Sequence, residues 1–246
     1  MQIRATNGIL TDAMTRRAQL LVFILVVLTW TSPALAHDFW LERQDGAFLL
    51  RYGHHGGAVL PLQVEKVKTL TCRKDKGASE NLLRAAVASP KQLSLAASCA
   101  IVSAFFDGGF WSLTPDGENN LPKNQVPDAV KAWRSKQFAK WVDARSPLAN
   151  QAQGDEFEIV PVTDLVKVRT GDKATFRVLL AGKPLPGAML AIGHKPLGET
   201  DDQGEVRVKI RASDVESVST SYRRAVKSAE ADSEVFEASL TFEVVR

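Results

Sequence analysis

The sequence predicts a mainly β protein built of two β-sandwich modules joined by a short helical segment. Short apolar runs bounded by Gly, Pro, Asp or Asn recur from Phe39 onward, the pattern of strands punctuated by turns. Six of them fall within residues 156–246, at the spacing of a sandwich. One stretch alone, Pro127 to Arg145, carries apolar residues near helical spacing. Of the 246 residues, 45% are hydrophobic and 24% charged, which excludes a disordered chain and leaves room for one or two domains.

Residues 1–36 read as a secretory signal peptide. Arg16 and Arg17 precede the apolar run Leu20 to Leu28, and Ala34-Leu-Ala36 supplies a small-residue cleavage site. The run is too short to cross a bilayer. Met14 stands where an ordinary positive flank begins, so Met1 and Met14 are both candidate starts. Three of the 31 basic residues and one of the 28 acidic residues precede His37, so the remainder is close to neutral. Nothing in it points to nucleic acid or an anionic membrane.

The N-terminal β module is expected over residues 37–127. Phe39-Trp-Leu and Ala47 to Tyr52 flank Arg43-Gln-Asp-Gly46, whose Asp-Gly pair suits a tight hairpin. Val64 to Cys72, Gln92 to Ser98, Ile101 to Phe106 and Phe110 to Thr114 continue the strands. In 128–155 a helical connector is expected: Val130, Trp133, Phe138, Trp141 and Val142 alternate with Lys and Arg, between Pro127-Asp128 and Ser146-Pro147. Its tryptophans are expected to pack on the first sheet, and Asn150 to Asp155 reads as a polar linker. The C-terminal module, 156–246, has the turns Gly182-Lys-Pro-Leu-Pro-Gly187 and Thr200-Asp-Asp-Gln-Gly204; it resembles transthyretin-like or immunoglobulin-like sandwiches. Cys72 and Cys99 are expected to form one structural disulfide, as an isolated pair does in an oxidising compartment.

The chemistry-bearing residues are few. There is no Gly-x-Ser-x-Gly, no phosphate-binding loop and no His-Glu-x-x-His, so nothing argues for an enzyme. Cleavage after Ala36 would leave His37 first, with a free α-amine and an imidazole Nδ1 able to chelate a metal together. Such nitrogen donors suit nickel, cobalt, copper or zinc and do not suit calcium. Antiparallel pairing of the first two strands would bring the Gly53-His-His-Gly56 loop near His37. His54 and His55 point to opposite faces of an extended segment, so one of them is expected to face the site. Asp38 or Tyr52 could complete the shell. His194 falls in a turn of the other module and is expected to be a surface residue.

Several segments together resemble a family of exported bacterial proteins described as the periplasmic component of nickel/cobalt uptake systems. They are His37-Asp-Phe-Trp-Leu-Glu42 just after the cleavage site, Leu50-Arg-Tyr-Gly-His54, Gly109-Phe-Trp-Ser-Leu-Thr-Pro-Asp-Gly117, Asn120-Leu-Pro-Lys123, Glu158-Ile-Val-Pro161 and Ala238-Ser-Leu-Thr-Phe-Glu243. The resemblance implies binding of a nickel or cobalt ion in the periplasm and its delivery to an inner-membrane transporter. It carries over His37 and His54. His55 and His194 stand where the family has other residues, and Ser112-Leu113 departs from its Thr-Lys. Two other readings stay open: a copper carrier using an N-terminal histidine brace, and a non-metal envelope module binding a protein or glycan through Trp111, Trp133 or Trp141.

Overall fold

Asp45 and Gly46 turn the chain through the first hairpin, both with positive φ (51° and 79°), the backbone that an Asp-Gly pair accepts most readily. The computed structural model describes residues 37–193 and 195–244. The expected signal peptide, both candidate starts and His194 lie outside the described residues.

In chain order the strands are β1 (Asp38–Gln44), β2 (Ala47–Gly53), β3 (Val67–Arg73), β4 (Glu80–Asn81), β5 (Val87–Ser89), β6 (Gln92–Leu95), β7 (Ile101–Thr114), β8 (Gly117–Asn119), β9 (Lys131–Val142) and β10 (Phe157–Pro161). There follow β11 (Lys173–Leu180), β12 (Lys183–Pro184), β13 (Met189–Ile192), β14 (Lys195–Glu199), β15 (Glu205–Lys209), β16 (Val215–Ala225) and β17 (Ser233–Glu243). The described residues contain only short 3-10 turns besides these, and no α-helix. The fold is mainly β.

A nine-stranded sheet runs β14-β13-β16-β17-β9-β7-β3-β4, with β8 paired to β7. Its pairs are antiparallel except one: β17 lies parallel to β9, Ser233 opposite Trp133 through Phe242 opposite Val142. Two four-stranded sheets, β1-β2-β6-β5 and β10-β11-β12 with β15 on β11, complete the topology. Strand alternation feeds two cores on opposite faces of the large sheet. Phe138 and Val142 of β9 join Phe157, Phe176 and Phe236 in one core. Ala139 and Trp141 join Phe48, Leu50 and Phe106 in the other. His37–Arg246 forms one compact unit.

The segment expected to be helical is therefore corrected. Within 128–155 the chain forms β9, a central strand flanked by β7 and β17. A strand buried on both faces has no polar side to reveal a period of two, and here its charges mislead further. Lys136 and Lys140 look like a solvated helix face but are paired with acids: Lys136 with Glu156 and Glu234, Lys140 with Glu158. The expected polar linker is also tied down, because the backbone N–H groups of Gln153 and Gly154 donate to Glu158. Two strands expected separately, at 101–106 and 110–114, are one strand, β7, bent by a bulge between Asp107 and Gly109.

Cys72 and Cys99 are bridged, with their Cα atoms 5.5 Å apart. The disulfide joins β3 to the segment leading into β7.

Candidate functional site

The site is assembled by the register of the first hairpin. Asp38 stands opposite Gly53 and Phe39 opposite Tyr52, so alternation puts His37, Phe39, Tyr52 and His54 on one face and Asp38, Trp40 and His55 on the other. On the inner face Phe39 and Tyr52 pack against Phe106, with ring centroids 5.4 and 5.5 Å away. The imidazoles of His37 and His54 lie 5.1 Å apart, centroid to centroid. Tyr52 Oη is 3.1 Å from His37 Nδ1, placed to donate to it when the ring carries its proton on Nε2.

The loop after β2 is held close to this face. Leu60 N–H donates to Tyr52 O at 2.8 Å and His54 N–H to Ala58 O at 2.9 Å. Gly53 makes the return possible: it has φ 138°, and a Cβ there would sit 2.4 Å from Ala58 O, so only glycine fits. On the outer face, the carboxylate of Asp38 accepts from the backbone N–H of His55 at 2.8 Å. The His55 ring meets the edge of Trp40, centroids 5.3 Å apart. The structure thus brings His37 and His54 together and turns His55 away from them.

The floor comes from two distant strands. Gln137 of β9, only 5% exposed, donates from Nε2 to the carbonyl oxygen of His37 at 3.2 Å and to the carboxylate of Glu237 on β17. Burial raises the Glu237 carboxyl to about 7, with Asp38 adding to the effect while Gln137 and Arg223 oppose it. Burial, reinforced by Glu237, also pushes the Tyr52 phenol up to about 12. His37 is shifted the other way. Partial burial and the neighbouring His54 hold its pKa below the ordinary value, against the pull of Asp38 and Glu118. The neutral imidazole, the form that binds metals, is favoured.

Among the described residues, no group of three or more His, Cys, Asp or Glu is arranged to hold a metal ion. The donors gathered at this end of β1 are two imidazoles and a phenol, to which proteolytic release of His37 would add an α-amine. A zinc or calcium cage of side chains is not built here. A nitrogen-rich site for a later first-row metal is chemically compatible with what is present.

Gln137 and Glu237 were not legible as site residues. Gln137 sits in the stretch whose charges imitate a helix. Glu237 interrupts an apolar strand, and an acid flanked by Phe236 and Ala238 in such a run is the one signal that could have marked it. Of the tryptophans, Trp141 is a core residue, 1% exposed, with its ring against the edge of Phe48. Trp111 and Trp133 stand opposite each other on β7 and β9 and are half-buried.

Fold and site define a β protein with packed sheets and a histidine pair at the open end of its first hairpin. The chain belongs to the family described as Domain of unknown function (DUF4198), which matches residues 34–221 and so takes in His37, Tyr52, His54 and Gln137. Comparison with curated proteins and with solved structures gives no match.

Proposed function

We propose that this chain is a periplasmic metal-binding protein that takes up a nickel or cobalt ion at His37 and His54 and passes it to an inner-membrane transporter. The reading requires export and cleavage after Ala36, so that His37 offers its α-amine together with its ring. The observation that carries it is the pairing of the His37 and His54 rings at 5.1 Å, with the Tyr52 hydroxyl beside them. Two neutral imidazoles and an amine are donors that nickel and cobalt favour, and these metals tolerate an oxygen donor from tyrosine or water as well. The likeness of His37-Asp-Phe-Trp and Leu50-Arg-Tyr-Gly-His54 to exported nickel/cobalt-uptake components supports the choice of metal and the transport role. No reaction is assigned to the site. In this reading the shared large sheet makes one body of two sandwiches, the second of transthyretin or immunoglobulin type.

Copper is the second reading, favoured by the same pair: an amine and two imidazoles from two residues are the donors of a histidine brace. Copper binds such donors more tightly than nickel in any case, so affinity alone does not select the physiological ion.

The test is calorimetric titration of Ni²⁺ into the exported, processed protein, into the same protein with one Gly inserted between Ala36 and His37, and into His54→Ala and His55→Ala. Extension of the terminus and loss of His54 should each weaken binding by about tenfold or more, roughly 1.4 kcal/mol per decade. His55→Ala should stay within about twofold. Equal affinities in all four proteins, at matched melting temperatures, would reject the site in favour of a non-metal envelope module.

A further inference from the structure

The carboxamide of Gln137 has one satisfied end and one empty end. Its assignment is chemically fixed, because the end that meets His37 faces a peptide carbonyl, which can only accept. The nitrogen must therefore lie there, and it also donates to Glu237. The oxygen, Oε1, is buried and has no hydrogen-bond partner. As an amide oxygen, Oε1 can only accept, so no group within the side chain itself can satisfy it. Unpartnered buried acceptors are uncommon and costly, so such an atom signals a missing donor.

The donor should lie beside the carbonyl of His37, which Nε2 of the same side chain already holds. The α-nitrogen of His37 is only three bonds away from that carbonyl oxygen. In the unprocessed chain this nitrogen is the peptide nitrogen joined to Ala36. Once released it is an amine, and when its lone pair is given to a metal it still carries N–H groups that need acceptors. Outer hydrogen bonds of this kind orient a metal ligand and raise its basicity. Glu237 in turn fixes Gln137, and β17 also fixes β1 two residues beyond His37, since Ser239 Oγ donates to the carbonyl of Phe39 at 2.7 Å.

We infer that Gln137 is a positioning residue for the N-terminal amine: Nε2 clamps the carbonyl of His37 while Oε1 accepts an N–H of the released α-amine and aims it at the ion. This rests on the reading of His37 as the N-terminal ligand. It adds a residue which touches no metal and which lies 100 positions away in sequence. It also gives a reason for the buried amide on β9, at a place where an apolar side chain would otherwise suit the sheet interior.

The test is a cycle of four proteins made from the full chain and processed after Ala36, with termini verified by intact mass. They are the native terminus and the Gly-extended terminus, each with Gln137 or with Gln137→Met, a replacement of similar length without polar atoms. With the native terminus, Gln137→Met should lower Ni²⁺ affinity by about tenfold, the lower end of the effect expected for an outer-shell partner. With the Gly-extended terminus the same change should cost less than about twofold, because the amine it serves has moved.

A loss of the same size in both backgrounds would mean a structural role or a water on Oε1, and would overturn the proposal. So would no loss with the native terminus. If the two Gln137 proteins bind Ni²⁺ equally, the His37 site itself fails, which is a different result from failure of Gln137 alone. Should Gln137→Met not fold, the unsubstituted proteins decide. The Gln137 side-chain amide resonances should shift on addition of Zn²⁺ with the native terminus and hold still with the extended one. Resonances that behave alike in both overturn the proposal.

Discussion

Ser239 Oγ donates to the carbonyl oxygen of Phe39 at 2.7 Å, a bond between residues 200 positions apart. It fastens β1, an edge strand of the small sheet, onto β17 in the middle of the large one. Phe39 is two residues from His37, so this bond sets the height of the candidate site above its floor of Gln137 and Glu237. Ser239 is itself buried, 7% exposed. Ser239→Ala should leave the Phe39 carbonyl without its partner and cost about 1–2 kcal/mol of stability. Urea unfolding measures this, and an unchanged midpoint with an unchanged slope would contradict it.

Glu237 should make stability fall as pH rises. Its carboxyl titrates near 7 in the folded protein, against 4.5 for the ordinary group. Between these values the folded state holds a proton that the unfolded state has released, so ionisation costs the fold progressively and the cost levels off above about pH 7. The full shift would correspond to roughly 3 kcal/mol. The side chain keeps some exposure, and on the order of 2 kcal/mol is the expected effect after allowance for solvent screening. Glu237→Gln should therefore gain stability over the natural chain between pH 5 and pH 8. A difference that is the same at both pH values in urea titrations would count against this account.

Lys140 and Glu158 form an ion pair in the core around β10, with side chains 4% and 1% exposed. Lys140 also donates to Ile159 O at 3.0 Å. Lys140→Met should be severely destabilising, by about 3–5 kcal/mol, because it leaves a buried carboxylate without its cation. The double change Lys140→Met with Glu158→Gln should recover much of that loss. The neutral amide keeps one oxygen, which can accept from either the Gln153 or the Gly154 N–H; these bond different oxygens of Glu158, so the recovery should be incomplete. A double variant no better than the single one would show that the charge was not the problem.

The Cys72–Cys99 bridge closes a loop with a sequence separation of 27. On the chain-entropy estimate such a loop contributes about 3–4 kcal/mol. Replacing both cysteines by serine should lower stability by that order, and intact mass should show alkylation of the natural protein only after reduction. Thiols that alkylate without reductant would mean that the bridge does not form.

Local chemistry was legible where it acts locally. Asp45-Gly46 announced its hairpin because two residues fix that backbone, and the β1–β2 register then brought His37 and His54 to one face. Six strands were expected in 156–246 and eight form there among the described residues; the two additional ones, β12 and β14, are short and lie where turns were expected. Where a segment's neighbours come from far along the chain, its pattern misled. The spacing of Trp133, Phe138, Trp141 and Val142 was that of a strand with two buried faces, and Lys136 and Lys140 looked solvated because their acids lie elsewhere in the sequence. The bulge that makes one strand of 101–114 hides behind two glycines, Gly108 and Gly109, that read as a break. Gln137 carried no local mark, and Glu237 only that of an acid inside an apolar run, since their closeness comes from the parallel pairing of β9 with β17.

That parallel pairing imposes an order of events on the growing chain. Synthesis delivers the two histidines early, on a hairpin that is marginal by itself. The strand that carries Gln137 follows only later, and β17 with Glu237 comes 100 residues after that. Contacts so distant form slowly, and β17 must enter between β9 and β16 before the large sheet is continuous. A nascent or truncated chain lacking residues 233–243 therefore displays both imidazoles without the scaffold that spaces them. The spacing of His37 against His54 is therefore complete only once the whole fold has closed.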